Sequence, residues 1–501
     1  MSNVQRVTKV HCLLATACIS MLAGCTVGPN YHKPAVATAP AFEEPHVEAS
    51  AQAQSDIAWS NWWTVFSDPV LNNLEDQAAD ANRDIKIAVA QVDESGAMAR
   101  VAHSYQLPTI GADPSISRTR EAQYRPNNGN TYGLASTYND LLLPLTLSYE
   151  IDAWGKIRRM VQSANAMKQA SDADLRFVQL SVSASVAVDY YSLRQTDAQL
   201  AIFDETVNAL QQGYQIVDNQ FQHGLVSELD VKQAETLLNQ VRSQRDALHI
   251  QRDQLEHAIA ELLGRTPEGF HIAVDTRLQA PPTIPAGVPS QLLERRPDIV
   301  ASERSMASAS AQIGVAKAAY FPQLSLTGFA GYESANPGAI LDWQNTIASL
   351  GAGVVAPIFT GGRIRAKVDN ARAAYQVSVS QYEKTVLTAY QQVEDQLAAL
   401  RFLANQEHDS ASAVASARDQ QRISLNRYNA GLVSYLNVIY AEQTLLDNEQ
   451  LEAQVSGQRL IATVVLVKAL GGGWEGRPSG QVSSHLDATQ TTPAISDAKA
   501  R

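Results

Sequence analysis

The chain has 501 residues, a formal charge of −12 and an apolar share of 45%. That length allows two or three domains, and the apolar share excludes a disordered chain. The acidity excludes a general nucleic-acid binder, since neutralising phosphates needs a basic surface. Aromatics are few, and Ala, Gln and Ser are common, a mix that suits long helices packed closely through small side chains.

At the start of the chain, Arg6 and Lys9 precede a short apolar run from Val10 to Leu22. The run is too short to span a bilayer comfortably, so residues 1–24 read as a cleaved signal. The signal ends in Leu22-Ala23-Gly24-Cys25, which resembles the bacterial lipoprotein box. In that box the cysteine becomes the first mature residue and carries S-diacylglycerol and an N-acyl chain, typically palmitoyl. The alternative is an ordinary signal with an incidental cysteine. Cys12 and Cys18 would leave with the signal, so Cys25 would be the last cysteine and no intrachain disulfide could form. Two or more acyl chains anchor stably, whereas one is marginal. Thr26 follows, where an Asp in lipoproteins often favours inner-membrane retention, so outer-membrane delivery is expected. Loss of Arg6 and Lys9 takes the charge from −12 to −14. Residues 25–69 are expected to be a lipid-anchored extended segment.

Beyond it the chain contains one unit twice. Phe221-Gln222-His223-Gly224-Leu225-Val226-Ser227 matches Tyr428-Asn429-Ala430-Gly431-Leu432-Val433-Ser434 at an offset of 207 (431 − 224). The same offset relates Gly155-Lys156-Ile157-Arg158 to Gly362-Arg363-Ile364-Arg365, and Leu263-Gly264 to Leu470-Gly471. Upstream, Leu107-Pro108 matches Phe321-Pro322 at 214. The units are 70–264 and 298–471, joined by a Pro-rich linker at 265–297 and followed by a loose tail at 472–501.

Each unit opens with a helix, 70–105 or 298–320, stopped by Pro108 or Pro322. Alternating segments follow, with Leu143, Leu145 and Leu147 in the first unit and Thr327, Phe329 and Gly331 in the second, so each unit has a strand hairpin around a loop at 121–138 or 333–344. Gly155 or Gly362 then opens a run without Pro, 156–222 or 363–430. A helix of about 67 residues would be about 100 Å long. It breaks at Gly224 or Gly431, and a second helix returns over 225–263 or 432–470. Ala234, Val241, Leu248, Leu255 and Leu262 recur every seven residues, a coiled-coil-like stripe. The first and returning helices together are about as long as the long one, so they can stack end to end beside it.

Two strands per unit leave bare edges, and no bacterial membrane barrel closes with four strands. Several chains must therefore pool their strands, and three would supply twelve.

Trp62-Trp63-Thr64-Val65-Phe66-Ser67-Asp68-Pro69 with Leu71 and Leu74, then Leu292-Leu293-Glu294-Arg295-Arg296-Pro297-Asp298-Ile299 and Ile313-Gly314-Val315-Ala316-Lys317-Ala318-Ala319-Tyr320-Phe321-Pro322, resemble the TolC-type outer-membrane efflux proteins, in the lipoprotein branch that serves RND pumps. The resemblance covers nearly the whole mature chain. It implies an α+β membrane protein: a homotrimeric tube with a 12-stranded transmembrane β-barrel, four strands per chain, continued by a 12-helix periplasmic α-barrel with an equatorial belt beside the linker. It implies an inner-membrane RND pump and a periplasmic adaptor as partners, outer-membrane lipid around the barrel, and no cofactor or metal. The turns Gly224-Leu225-Val226-Ser227 and Gly431-Leu432-Val433-Ser434 would be the adaptor-docking tips. Glu228 and Asp230 on one tip, with Tyr428 and Asn437 on the other, would line the periplasmic gate. The family often has two acids on the second hairpin, which here fall on Asn437 and Tyr440, so only one tip is expected to be charged.

No HExxH, GxSxG, P-loop or CxxC is present, so an enzyme is not expected. A periplasmic coiled-coil scaffold would explain the helices but not the repeated hairpins. A duct for type I protein secretion keeps the fold and changes the cargo.

Overall fold

The computed structural model describes residues 26–34, 41–44, 59–120, 122, 137–285 and 295–472. Cys25, the signal and most of the tail lie outside them. A 3-10 helix, Trp59–Phe66, leads into α1 (Pro69–Ala81) and α2 (Arg83–Ser104). Then come β1 (Thr109–Ala112), β2 (Ser115–Arg120), β3 (Thr137–Ile151), α3 (Lys156–Gln222) and α4 (Glu228–Leu262). The second unit is α5 (Pro297–Ala318), β4 (Gln323–Ser334), β5 (Thr346–Val355), α6 (Arg363–Asn429) and α7 (Tyr435–Ala469). No helix among the described residues is long and apolar enough to cross a membrane.

The duplication is kept to the residue. The bounds of α3 and α4 map onto those of α6 and α7 at an offset of 207 (363 − 156), giving 67 and 35 residues in each unit. Those of α2 and α5 differ by 214 (297 − 83), with 22 residues each. Both long helices start after a left-handed glycine, Gly155 (φ 77°) or Gly362 (φ 81°), a conformation glycine adopts without steric cost.

The first helix is not continuous over 70–105. Asn82 breaks it, leaving the helical region at φ −55°, ψ 138°. Its Oδ1 accepts from the amides of Asp84 (2.9 Å) and Ile85 (3.1 Å), capping α2, and its Nδ2 donates to the Leu262 carbonyl (2.8 Å) at the end of α4. One buried side chain thus terminates α1, starts α2 and ties α2 end to end with α4. The second unit makes the same joint differently: Arg296, 4% exposed, donates to the Ala469 carbonyl (3.1 Å) at the end of α7 and to Gln392 (2.9 Å), while Asp298 holds its guanidinium at 3.1 and 2.7 Å.

The main core gathers Trp62, Phe66, Leu71 and Leu74 against Tyr190, Tyr191 and Leu193 of α3 and Leu466 and Val467 of α7. The linker is clipped onto α3 and α4 by buried charges. Arg252 donates to the Ile272 carbonyl (2.9 Å), Glu256 accepts from the Ile272 amide (2.9 Å), and Asp197 accepts from the Asp275 amide (3.2 Å).

Glu75 of α1 is a carboxyl buried beside this core. It is 2% exposed, and its Oε1 has no hydrogen-bond partner among the described residues. Burial, opposed by the Ser183 hydroxyl beside it, pushes its carboxyl up to about 9. It folds in neutral, whereas the unfolded chain ionises it from its ordinary value of 4.5 upward. Its contribution is therefore complete below that ordinary value and fades as pH rises towards about 9. Glu75→Gln should raise stability at pH 8 by about 1–3 kcal/mol, and the gain should vanish near pH 4.5. Urea unfolding at the two pH values checks this.

Candidate functional site

The sheet is antiparallel, in the order β1–β3–β4–β5, with β2 also paired to β3. The first hairpin strand is therefore one path broken at Asp113-Pro114, where the sequence suggests a single strand. Four strand paths result, and β5 and the β1/β2 path remain as open edges.

Register sorts the side chains. Ile110 and Leu147 pair in line with Gly328 and Leu350, and Ala112 and Leu145 pair in line with Ala330 and Ala348. On the other face Thr109 and Ser148 line up with Thr327 and Gly351, and Gly111 and Thr146 with Phe329 and Ser349. In these rows one face is apolar and the other is small or polar apart from Phe329; beyond them Leu142, Pro144, Ile347 and Val355 also fall on the second face. On the apolar face Leu145 and Leu350 lie open, 58% and 75% exposed. A sheet in water buries its apolar face on a core, whereas a strand that faces lipid on one side and a water-filled interior on the other alternates as this one does.

Where the sheet meets the helices, residues 26–31 are held in a built slot. The Val27 amide donates to the Trp154 carbonyl (3.0 Å). Arg159 donates to the carbonyls of Val27 (3.3 Å) and Gly28 (3.4 Å), to Asn30 Oδ1 (2.9 Å) and to Gln162 (2.9 Å). Gly28 sits at φ 106°, so close that a Cβ there would lie 2.5 Å from Gly314 Cα. Tyr31 bonds Glu303, and further on Glu44 pairs with Arg401 at 3.0 Å. Residues 26–31 thus form a strap over α3 and α5, and Glu44 lies on α6.

At the far end, both hairpin turns have one geometry. Gly224 and Gly431 share φ 72°, with open space around them, so the left-handed backbone and not crowding requires glycine. The amides of Leu225 and Leu432 close the turns onto Gln220 and Arg427 carbonyls, both at 2.9 Å. Leu225 and Leu432 stand 74% and 70% exposed, and Val226 and Val433 are half-buried. Ser227 and Ser434 are N-caps, so the returning helices begin at Glu228 and Tyr435, three residues later than the sequence suggests.

Of the expected gate residues, the structure brings Asp230 and Tyr428 near one another. Asp230 closes a capping box, its Oδ2 accepting from the Ser227 amide (3.1 Å) and hydroxyl (2.7 Å). Tyr428 donates to Gln220 of the first hairpin (2.6 Å) and meets the Tyr435 ring edge-on at 5.2 Å. Burial, and then the Asp230 charge, raise its phenol. Among the described residues the Asn437 side chain bonds its own cap, Ser434 (3.3 Å), and Glu228 is exposed at the first position of α4.

Gly213 carried no role in the sequence beyond being a weak helix former, yet it is where Tyr435 docks: a Cβ on Gly213 would lie 2.4 Å from the Tyr435 hydroxyl. Arg159, Gly28 and Asn30 were equally unassigned. The signal for Gly314 was a costly glycine inside an Ala- and Val-rich helix. Its reason is the strap.

A family profile described as outer membrane efflux protein matches residues 74–265 and 288–472, one span per unit. The chain is 31% identical to the solvent efflux pump outer membrane protein SrpC of Pseudomonas putida over 458 residues, 91% of this chain and 96% of the relative. It is likewise 31% identical to the outer membrane protein OprJ of Pseudomonas aeruginosa, over 91% of this chain and 95% of OprJ. Its fold is similar to the CmeC outer membrane channel of Campylobacter jejuni (TM-score 0.82, 26% identity, 91% of this chain and 96% of CmeC). It is also similar to the open MtrE outer membrane channel of Neisseria gonorrhoeae (TM-score 0.78, 26% identity, 90% and 99%). These relatives are channel proteins and not enzymes. With both units matched and the relatives aligned almost end to end, the chain belongs to the outer membrane efflux protein family.

Proposed function

We propose that this chain is the passive, gated conduit of a tripartite RND-type efflux pump, working in the outer membrane as a homotrimer. The observation that carries the reading is the two-faced sheet with open edges, mounted on two pairs of antiparallel helices. Three copies would close those edges into a 12-stranded barrel, with the apolar face towards lipid and the polar face inward, above a 12-helix tube. An inner-membrane pump would drive the cargo and a periplasmic adaptor would pass it on. The cargo is small molecules such as drugs, solvents or metal ions; the names of relatives that export solvents and antibiotics support the first two.

Lipidation of Cys25 is supported by the strap, which delivers Thr26 beside Gly155 at the foot of the sheet. An acyl chain starting one residue earlier would enter the membrane at that level. The exposed Leu225 and Leu432 suit the tips to an apolar contact on the adaptor.

The test is export. In a cell lacking its own duct, this chain with its neighbouring pump and adaptor should restore dye efflux, and pump and adaptor alone should not. Restored secretion of a protein substrate, with no dye efflux, would point to the type I duct instead.

The gate is proposed at Asp230 and Tyr428 on the contact between the hairpins, with Glu228 and Asn437 beside them. Asp230→Ala combined with Tyr428→Phe should raise single-channel conductance in planar bilayers several-fold. An unchanged conductance in the double variant would remove these residues from the gate.

A further inference from the structure

The chain has six methionines, of which Met98, Met160, Met167 and Met306 fall in the described residues. Met306 is fully buried between α5 and α6. The other three line a single groove of about 500 Å³ formed by α2, α3 and α5. Met98 and Met167 are 61% and 46% exposed there. The groove has the size of a site for a drug-sized ligand, which spans roughly 300–1,000 Å³. Glu94 is its one ionisable lining residue and has no ion pair among the described residues. Its remaining groups are small or uncharged; Gln312 of α5 donates to Ser163 of α3 (2.8 Å), bridging the two helices.

The groove lies opposite the strap. Arg159 bonds both Asn30 and Gln162, so the strap runs over the Gln162 side of α3. Met160 is two residues from Gln162, about 200° round the helix. Gln312 is two residues from Gly314, where the strap crosses α5, and is likewise about 200° away. With Cys25 lipidated as proposed, its acyl chains lie in the bilayer, outside the wall of the conduit. The strap therefore marks the outer face of the helical layer, and the groove opens on the inner one. Met98 lies six residues from the end of α2, and Met160 and Met167 four and eleven from the start of α3, so the site is within about 17 Å of the sheet.

We propose that this groove is a lumenal way-site for amphiphilic organic cations, lying on the cargo's path just before the barrel. Thioether side chains are unbranched and polarisable, so three of them can fit apolar bodies of varied shape, as a duct serving varied cargo needs. The single unpaired carboxylate of Glu94 complements a cationic head. The inference rests on the conduit reading and on lipidation of Cys25 for its inner and outer faces.

The experiment uses the full chain, assembled in lipid nanodiscs, with methionine methyl groups labelled with ¹³C and tetraphenylphosphonium as the probe. The methyls of Met98, Met160 and Met167, assigned through single Met→Leu variants, should shift saturably, while that of Met306 stays still. Glu94→Gln should weaken phosphonium binding roughly two- to fivefold and leave binding of neutral naphthalene unchanged. If all four methyls stay silent, or the three respond to silver(I) and not to the phosphonium, the proposal is overturned, the latter result assigning a soft-metal site. The readout needs no pump, so a negative result here leaves the conduit standing. Failed dye export with intact methyl shifts would count against the conduit alone.

Discussion

Replacing Gly331 with alanine is expected to stop the sheet from forming. Gly331 of β4 pairs with Pro144 of β3. A Cβ at Gly331 would lie 2.1 Å from the Leu143 carbonyl oxygen and 2.8 Å from Pro144 Cα. Both are backbone atoms and cannot rotate away, so β3 and β4 must separate. Pro144 already withholds one amide from the ladder, and proline in a central strand is tolerated only where the partner permits it. Here the partner is a glycine. The expected cost is about 3 kcal/mol or more, seen as loss of protease-resistant chain from the outer membrane. Gly351→Ala is the control: its nearest neighbour is the Thr327 hydroxyl at 3.9 Å, an ordinary contact, so it should be near neutral. Equal accumulation of the two variants would refute the argument.

Arg296→Ala should be the most damaging single change in the helical part. The guanidinium is buried and spends its donors on Asp298, Gln392 and the Ala469 carbonyl at the joint between α5 and α7. Its removal leaves a helix-end carbonyl unbonded and a carboxylate without its partner, a loss of about 3–5 kcal/mol. Arg296→Lys should recover little, because an ammonium cannot reproduce the fork on Asp298 while reaching α7. Adding Asp298→Ala to Arg296→Ala should cost less than the sum of the single changes, since the two share one interaction. Denaturant melts of the detergent-solubilised protein check both, and strict additivity would show that the pair is not coupled.

What the sequence made readable were features repeated or uninterrupted along the chain. The long helices need only freedom from proline, and a shared offset tied each half to the other. The breaks were harder. Asn82 is a good cap residue, but whether a side chain caps or merely faces solvent depends on a neighbour 180 residues away, Leu262. Ser227 and Ser434 were placed in the docking turns without being recognised as the starts of helices. The strap was invisible because its contacts, from Gly28 to Arg159 or from Tyr31 to Glu303, bridge more than a hundred residues and leave no periodic trace. Asp230 was expected in the constriction, and one of its oxygens is already committed to the Ser227 cap. The same side chain therefore starts a helix and lies next to Tyr428, and a gating role must work through the oxygen left over.

The equality of the two hairpins, 67 and 35 residues in each unit, means that the length of this molecule is written twice. An insertion in α3 and α4 alone would push one turn past the other and pull Tyr435 away from Gly213. Only matched insertions in all four helices would keep the ends flush, and one heptad in each would extend the structure by about 10 Å. Reach can therefore change only in paired steps, so two such chains built for envelopes of different depth should differ by whole heptads at corresponding places in both halves.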